Sequence, residues 1–366
     1  MGVFFVTRLR LYSRTIGEVP EAIVKDGKAV FGTFFATPKK LDIKGLASSV
    51  SGFPIPSLFT NLRIKGRIAY MFSIGDYIGM VEFFDDKLFG LAEVIFWYRS
   101  TGKKFAYHVF MPPRGRFIPL RLDEAVCVSY KKSRYIRLLW SRKKNRISLS
   151  FKVAGDKQRP PAQGKFTAHF DDAFFKEMVV VMPAPTTNRC SATWLSAMKI
   201  YGSLSIAAGK HTAAVPMESA AGIALMAMNR SHHKQRSKSE MMCALGDYEG
   251  RKLLFRFVNT NADSPDADNC NENVIIFDGH IIPLPAVTIT HSFGINKTWV
   301  VQDTESMVDL TFTPLSISKR MLNILIMRNE YSNIYGVFDG VLLTEEGEKL
   351  TIRNFPGIVK KNILRI

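Results

Sequence analysis

Arg146-Ile147-Ser148-Leu149-Ser150-Phe151-Lys152-Val153 alternates polar and apolar side chains without a break. A period of two puts Ile147, Leu149, Phe151 and Val153 on one side of an extended strand and the polar residues on the other. Val308-Asp309-Leu310-Thr311-Phe312-Thr313 repeats the pattern in the other half of the chain. Turn signals join more runs of this kind. Residues 88–98 and 105–110 flank the turn 99–104, and 203–207 and 211–215 flank 208–210. Residues 335–343 and 350–355 flank 344–349, and 273–277 and 280–284 flank Asp278-Gly279, a tight-hairpin pair. Helical signals are few; 217–228, with Pro216 before it and Glu218 in its first turn, is the best. The expectation is an all-β chain of two antiparallel barrel or sandwich halves with little helix.

The 366 residues carry 50 Lys and Arg against 32 Asp and Glu, a net charge of +18. Hydrophobic residues make up 46%, enough for a core, which excludes disorder for most of the chain. The charge is uneven. Residues 1–183 hold 31 basic and 15 acidic residues, and 184–366 hold 19 and 17. Residues 101–150 alone hold 13 basic and 2 acidic. Met182-Pro183-Ala184-Pro185-Thr186-Thr187-Asn188 falls at the charge break and reads as a linker or crossing loop. That divides the chain into a basic β domain, 19–183, and a near-neutral one, 184–366. Ahead of them, 1–18 carries Arg8, Arg10 and Arg14 with no acid before Glu18. It reads as an organelle-import segment or as a basic first strand, so the expected compartment is the cytoplasm or, with import, the mitochondrion. No window of eighteen apolar residues is free of charge, so no membrane span is expected.

The basic block concentrates in Lys131, Lys132, Arg134, Arg137, Arg142, Lys143, Lys144 and Arg146, interleaved with Tyr130, Tyr135 and Trp140. In a strand, Tyr135, Arg137 and Leu139 share one face, and Ile136, Leu138 and Trp140 the other. The segment therefore reads as a hairpin turning at 141–145, apolar side inward and cations outward. An outward basic face is either simply solvated or meets an anionic membrane or an acidic protein; nucleic acid ranks behind these.

Motifs for chemistry are sparse. Cys127, Cys190, Cys243 and Cys270 are scattered, without zinc spacing, and read as reduced thiols. No phosphate-binding glycine loop or nucleophile elbow occurs. The polar stretch 259–273 (Asp263, Asp266, Asp268, Glu272) lacks the glycine and the terminal glutamate of a calcium-hand loop. No cofactor and no metal are expected.

Several segments, in order along most of the chain, resemble the family known as domain of unknown function 2804. They are Gly32 with Pro38, 62–65, 90–96 with 101–103, Met198-Lys199 with Gly202, Asn271-Glu272-Asn273 with Asp278-Gly279, 308–314, and Tyr335-Gly336, Gly340, Gly347-Glu348 and Gly357. The resemblance implies tandem lipocalin-like halves, similar to carotenoid hydratase and related cyclases, around apolar pockets. The sequence departs from the family where relatives carry Asp-Trp-x-Arg-Gly and this chain has Ala227-Met228-Asn229-Arg230-Ser231. It also has Lys65-Gly66-Arg67 for a Lys-x-Trp strand, and Lys360 in a region where relatives tend to carry Glu. The main expectation is thus a non-catalytic protein that binds a hydrophobic or amphipathic small molecule, with Lys199, Arg230 and Asn273 at the ligand. A hydratase, isomerase or cyclase is the alternative, with Glu272, Asp278 and Asp309 as candidate acids. A nucleic-acid adaptor is the third.

Overall fold

The structure, a computed structural model, describes residues 12–46, 61–87, 89–112, 117–157, 159–186, 188–207, 219–234, 236–259, 266–324 and 327–365. Two antiparallel sheets make up nearly all of it. The first runs in the order Lys103–Met111, Gly90–Tyr98, Tyr77–Asp85, Ile64–Ile74, Ser219–His232, Cys190–Ile206, Ala162–Ala168, Arg146–Val153, Arg134–Ser141, Glu124–Lys131. Lys176–Pro183 branches from Cys190–Ile206, and Gly32–Phe34 pairs in turn with Lys176–Pro183. This sheet curls into a nearly closed barrel. Across the remaining gap, the Arg134 guanidinium donates to the His108 carbonyl and the Tyr107 hydroxyl to Pro160. The second sheet is a half-barrel in the order His280–Pro283, Val274–Phe277, Arg251–Val258, Arg236–Tyr248, Lys349–Arg365, Met327–Leu343, Val308–Ile324, Trp299–Asp303, Val287–His291.

Aromatic side chains fill both interiors. In the first, Phe72 and Phe166 lie 4.8 Å apart between ring centroids, and Trp140 and Trp194 6.0 Å. In the second, Phe338 meets Phe255 at 5.1 Å and Phe312 at 4.8 Å. The alternating strands behave as read: Ile147, Leu149, Phe151 and Val153 are buried, as are Ile136, Leu138 and Trp140. Asp278 and Gly279 both take positive φ, 47° and 80°, as a two-residue hairpin turn requires.

The expected helix at 217–228 is not formed. From Ser219 onward the chain is the strand Ser219–His232, and 217–218 lie outside the described residues. Its continuous apolar character has another cause. Ala224, Met226 and Met228 face the barrel core, while Ile223 and Leu225 face the other sheet. A strand buried on both faces loses its alternation and mimics a helix in sequence.

The chain passes from the first sheet to the second between His232 and Arg236. The stretch at 182–188 instead joins two paired strands of one sheet, since Lys176–Pro183 pairs along its length with residues 190–197 of Cys190–Ile206. The 184–366 unit thus begins inside the first sheet. Of the N-terminal segment, 1–11 lie outside the described residues. Arg14, however, is buried and donates to the carbonyls of Asn271 (2.8 Å) and Leu284 and to Asn271 Oδ1 (2.5 Å). It is a structural strut joining the segment to the second sheet.

Some family-matching glycines have a steric reason. A Cβ on Gly336 would stand 2.1 Å from the Thr313 carbonyl oxygen, and one on Gly202 1.9 Å from that of Lys165. Gly336→Ala must push two paired backbones apart. Urea unfolding is expected to show a loss on the order of 1–3 kcal/mol, the usual cost of overpacking; an unchanged midpoint would refute the steric reading.

Candidate functional site

The two sheets pack face to face. Met71, Met80, Ile95, Leu195 and Leu225 from the first meet Leu245, Leu254, Ile276 and Ile358 from the second, and Trp97 stacks on Tyr335 at 6.0 Å. Toward one end this apolar interface turns polar, and the strand registers explain which residues meet there. Phe84, Arg67, Asn229 and Thr193 form one row across four strands, and Lys65, Ser231 and Ser191 form a parallel one. On the opposing sheet, Cys243 sits between Arg256 and Ile358, and Met241 between Val258 and Lys360.

The rows border a cavity of about 240 Å³, partly open to solvent, whose lining includes Lys65, Arg67, Asn229, Arg256, Glu272 and Lys360. A more open cleft of about 470 Å³ adjoins it, lined by Pro183, Lys234, Arg236 and Lys238 among others.

Ion pairs and hydrogen bonds within and between the sheets run through this zone. Lys360 Nζ contacts Glu82 Oε2, and Arg67 Nε lies 2.8 Å from Glu82 Oε1. Arg67 also donates to the Asn362 amide oxygen (3.0 and 3.2 Å) in the orientation that satisfies that amide. Glu93, cross-strand partner of Glu82, accepts from Asn333 Nδ2 at 3.1 Å and pairs with Arg320 Nη1 at 3.4 Å. Arg256 Nη2 lies 2.6 Å from Glu272 Oε2, and Thr193 Oγ1 donates to Glu272 Oε1. Asn229 Nδ2 donates to Thr193 Oγ1 at 2.7 Å and Ser191 Oγ at 3.0 Å. Lys65 pairs with Asp86, and Glu240 is held by Lys361 at 3.0 Å and Lys238 at 3.1 Å. Arg67 and Lys360, two of the departures from the family pattern, meet on the same carboxylate.

Burial and these partners shift the ionisations. Burial acts to raise the Glu82 carboxyl, but Lys360 and Arg67 outweigh it and hold it below the ordinary range. Burial keeps Glu93 above that range, opposed by Arg320. Burial lowers Lys360 to about 8 against the pull of Glu82. His233 falls to about 3, first through burial and then through Arg67, Lys65 and His232, so its imidazole is neutral near pH 7.

The sign of the Lys360 effect is testable. A lysine lowered in the folded state is a cost wherever it is charged, and the cost is relieved as the folded form loses its proton before the unfolded one. Stability relative to Lys360→Met is therefore expected to rise from about pH 8 toward the unfolded-state pKa of about 10.4, by about 1.4 kcal/mol per pH unit. Parallel urea titrations of the two proteins over this range check it; a flat difference would remove the assigned shift.

Of the candidate acids, Glu272 alone reaches this zone. Asp278 and Asp309 are exposed, one in a hairpin turn and one beside Gln302 on the outer sheet face. Asn273 is buried but structural, accepting from the Val258 amide at 2.9 Å and donating to Pro285 at 3.0 Å. Arg230 points away from Asn229 and props the Ile118 and Pro119 carbonyls at 2.6 and 3.1 Å. Lys199 lies over the Phe174 ring at 5.7 Å. The expected ligand trio is thus scattered. Glu82, Glu93, Thr193 and Arg256 escaped the sequence reading, although Val81-Glu82-Phe83, Ala92-Glu93-Val94 and Phe255-Arg256-Phe257 carried a signal: a lone charge inside an apolar strand.

The basic block divides in two. Lys131, Lys132 and Arg134 turn at one end of the barrel wall and Arg142, Lys143, Lys144 and Arg146 at the other, roughly 25 Å away for strands of this length. Arg142 is already engaged, 2.6 Å from Glu177 and 4.7 Å over the Phe170 ring. Arg137 is exposed between the two ends, and so are Lys143, Lys144 and Arg146. At the first end, Lys131, Lys132, Arg134 and Lys152 border a cavity of about 830 Å³ whose lining includes Val153, Pro161, Ala162 and Ile206. Among the described residues, no group of three or more His, Cys, Asp or Glu could hold a metal, and no helix is long and apolar enough to cross a membrane. All four cysteines are buried and unpaired.

Fold and sites together define an all-β protein in which a barrel-like sheet and a half-barrel sheet close on a charged, partly apolar cavity. Residues 28–365 match the family model DUF2804, a domain of unknown function, and the chain belongs to that family. No curated protein matches the sequence. Among solved structures, a protein described as an AttH from Nitrosomonas europaea is 10% identical, with 87% of this chain and 98% of that one covered and a TM-score of 0.46. Kievitone hydratase from Nectria haematococca is 8% identical over 82% and 88% of the two chains, with a TM-score of 0.41.

Proposed function

We propose that this protein binds an amphipathic molecule with an anionic head at the mouth of the first barrel, and that the same rim docks on an anionic bilayer. The observation that carries the reading is the cavity of about 830 Å³ with an apolar floor and four cations at its edge. An alkyl tail on the exposed Tyr130, Ala154, Pro161 and Ala207 leaves water, at roughly 25 cal/mol per Å² of apolar surface. Lys131, Lys132, Arg134 and Lys152 meet the head group by charge-assisted hydrogen bonds. Aromatic packing in the barrel leaves the mouth as the place for a tail.

Native mass spectrometry of the purified protein with oleate, beside sedimentation with phosphatidylserine vesicles, tests this. A stoichiometric oleate adduct lost in a Lys131→Gln/Lys132→Gln/Lys152→Gln variant is expected. No adduct and no sedimentation would end the proposal.

Proton transfer to an apolar substrate is a second reading, favoured by the buried Lys360, Glu82 and Glu93 beside the inter-sheet cavity. Turnover of an unsaturated isoprenoid such as farnesol to a hydrated or isomerised product, absent in Glu82→Gln, would support it; no product from the wild-type protein would remove it for that substrate.

A further inference from the structure

We propose that the cavity between the two sheets is a second binding site, for a small organic anion bearing a carboxylate or a phosphate. Three observations carry this. First, cations outnumber carboxylates in the ion-pair cluster at its wall. Arg67, Lys360 and Arg320 face only Glu82 and Glu93, and the first two share Glu82. Lys360 is buried while Arg67 and Arg320 stay partly exposed, so the surplus charge is partly screened by water and an incoming anion is its natural counter-charge.

Second, Arg256 is 7% exposed and lines the cavity. Its Nη2 is spent on Glu272, whereas its buried Nη1 has no hydrogen-bond partner. A buried guanidinium N–H left open is a strong anion donor in waiting. Third, the two carboxylates in the lining are already neutralised, Glu272 by Arg256 and Glu240 by Lys361 and Lys238, so neither opposes an incoming anion with a free charge.

The volume of about 240 Å³ sets the size. It lies below the range typical of drug-sized ligands and far below that of a lipid. Ala69, Ala227 and Met241 in the lining suit a short apolar part on the anion. The site is separate from the barrel mouth: the two cavities share no lining residue.

The test uses the full-length protein with two probes, benzoate and inorganic phosphate, in calorimetric titration and thermal unfolding at constant ionic strength held with chloride. One probe is expected to bind saturably at one site per chain and to raise the unfolding midpoint; which one does so separates carboxylate from phosphate recognition. Arg256→Met is expected to weaken binding at least tenfold. Should that variant not fold, the partly exposed Arg67→Met provides the same readout. Lys131→Gln/Lys132→Gln/Lys152→Gln should leave this binding unchanged. The proposal fails if neither probe shifts the midpoint beyond chloride, if Arg256→Met and Arg67→Met both bind like wild type, or if the barrel-mouth variant abolishes binding.

Discussion

Glu82→Ala is expected to destabilise the protein by about 3–5 kcal/mol, the cost of breaking a buried ion pair from one side. Glu82 is the shared counter-charge of Lys360 and Arg67, and Lys360 is 2% exposed. Without the carboxylate, a buried ammonium remains with no anion except the neighbouring Glu93, which already serves Arg320 and Asn333. Replacing both ends, Glu82→Leu with Lys360→Met, exchanges the pair for apolar volume and should cost far less, since the desolvation of both charges disappears with their attraction. Urea unfolding of Glu82→Leu, Lys360→Met and the double variant closes a mutant cycle. A coupling near zero would show that the contact does little to hold the sheets together. The wild-type contribution of Glu82 is also pH-dependent. A carboxylate held below its unfolded value contributes stability above the unfolded pKa of about 4.3 and loses it as pH falls through the folded one.

Neutralising the rim at the barrel mouth is the second large effect. Each cation close to an anionic bilayer contributes about 1 kcal/mol, so the triple glutamine variant of Lys131, Lys132 and Lys152 should bind phosphatidylserine vesicles over a hundredfold more weakly. Lys143→Gln/Lys144→Gln, at the far end of the same strands, should have a much smaller effect. That contrast separates a docking rim from a general attraction of a +18 protein to a negative surface. Equal losses in the two variants would favour the general attraction, and a steep fall of binding with salt is expected on either account.

The edge and wall strands were legible in the sequence because one of their faces meets water. Ile147, Leu149 and Phe151 alternate with Ser148, Ser150 and Lys152, and the basic hairpin could be oriented from that alternation alone. The central strands were not. Ser219–His232 is covered by the barrel core on one side and the second sheet on the other, so its apolar run carries no period and resembles a helix. The prolines at 183 and 185 suggested a boundary, but a connection between two paired strands of one sheet uses the same residues.

The candidate site was legible only in fragments. Arg67, Thr193, Asn229, Arg256, Glu272 and Lys360 lie far apart along the chain, and no local spacing joins them. What joins them is register. In antiparallel sheets the side-chain row is fixed by which residue pairs with which, and two sheets must then dock with those rows opposed.

The sequence alone therefore determined the all-β class, the inward and outward faces of its half-exposed strands and the concentration of charge, since each depends on neighbours within a few residues. The tertiary structure decided that the basic block divides between two ends of a barrel, that Glu82 holds Arg67 and Lys360, and that Arg256 lines the inter-sheet cavity with one buried N–H unpartnered. These depend on contacts between residues distant in the chain, which the pairing of strands and the docking of two sheets create.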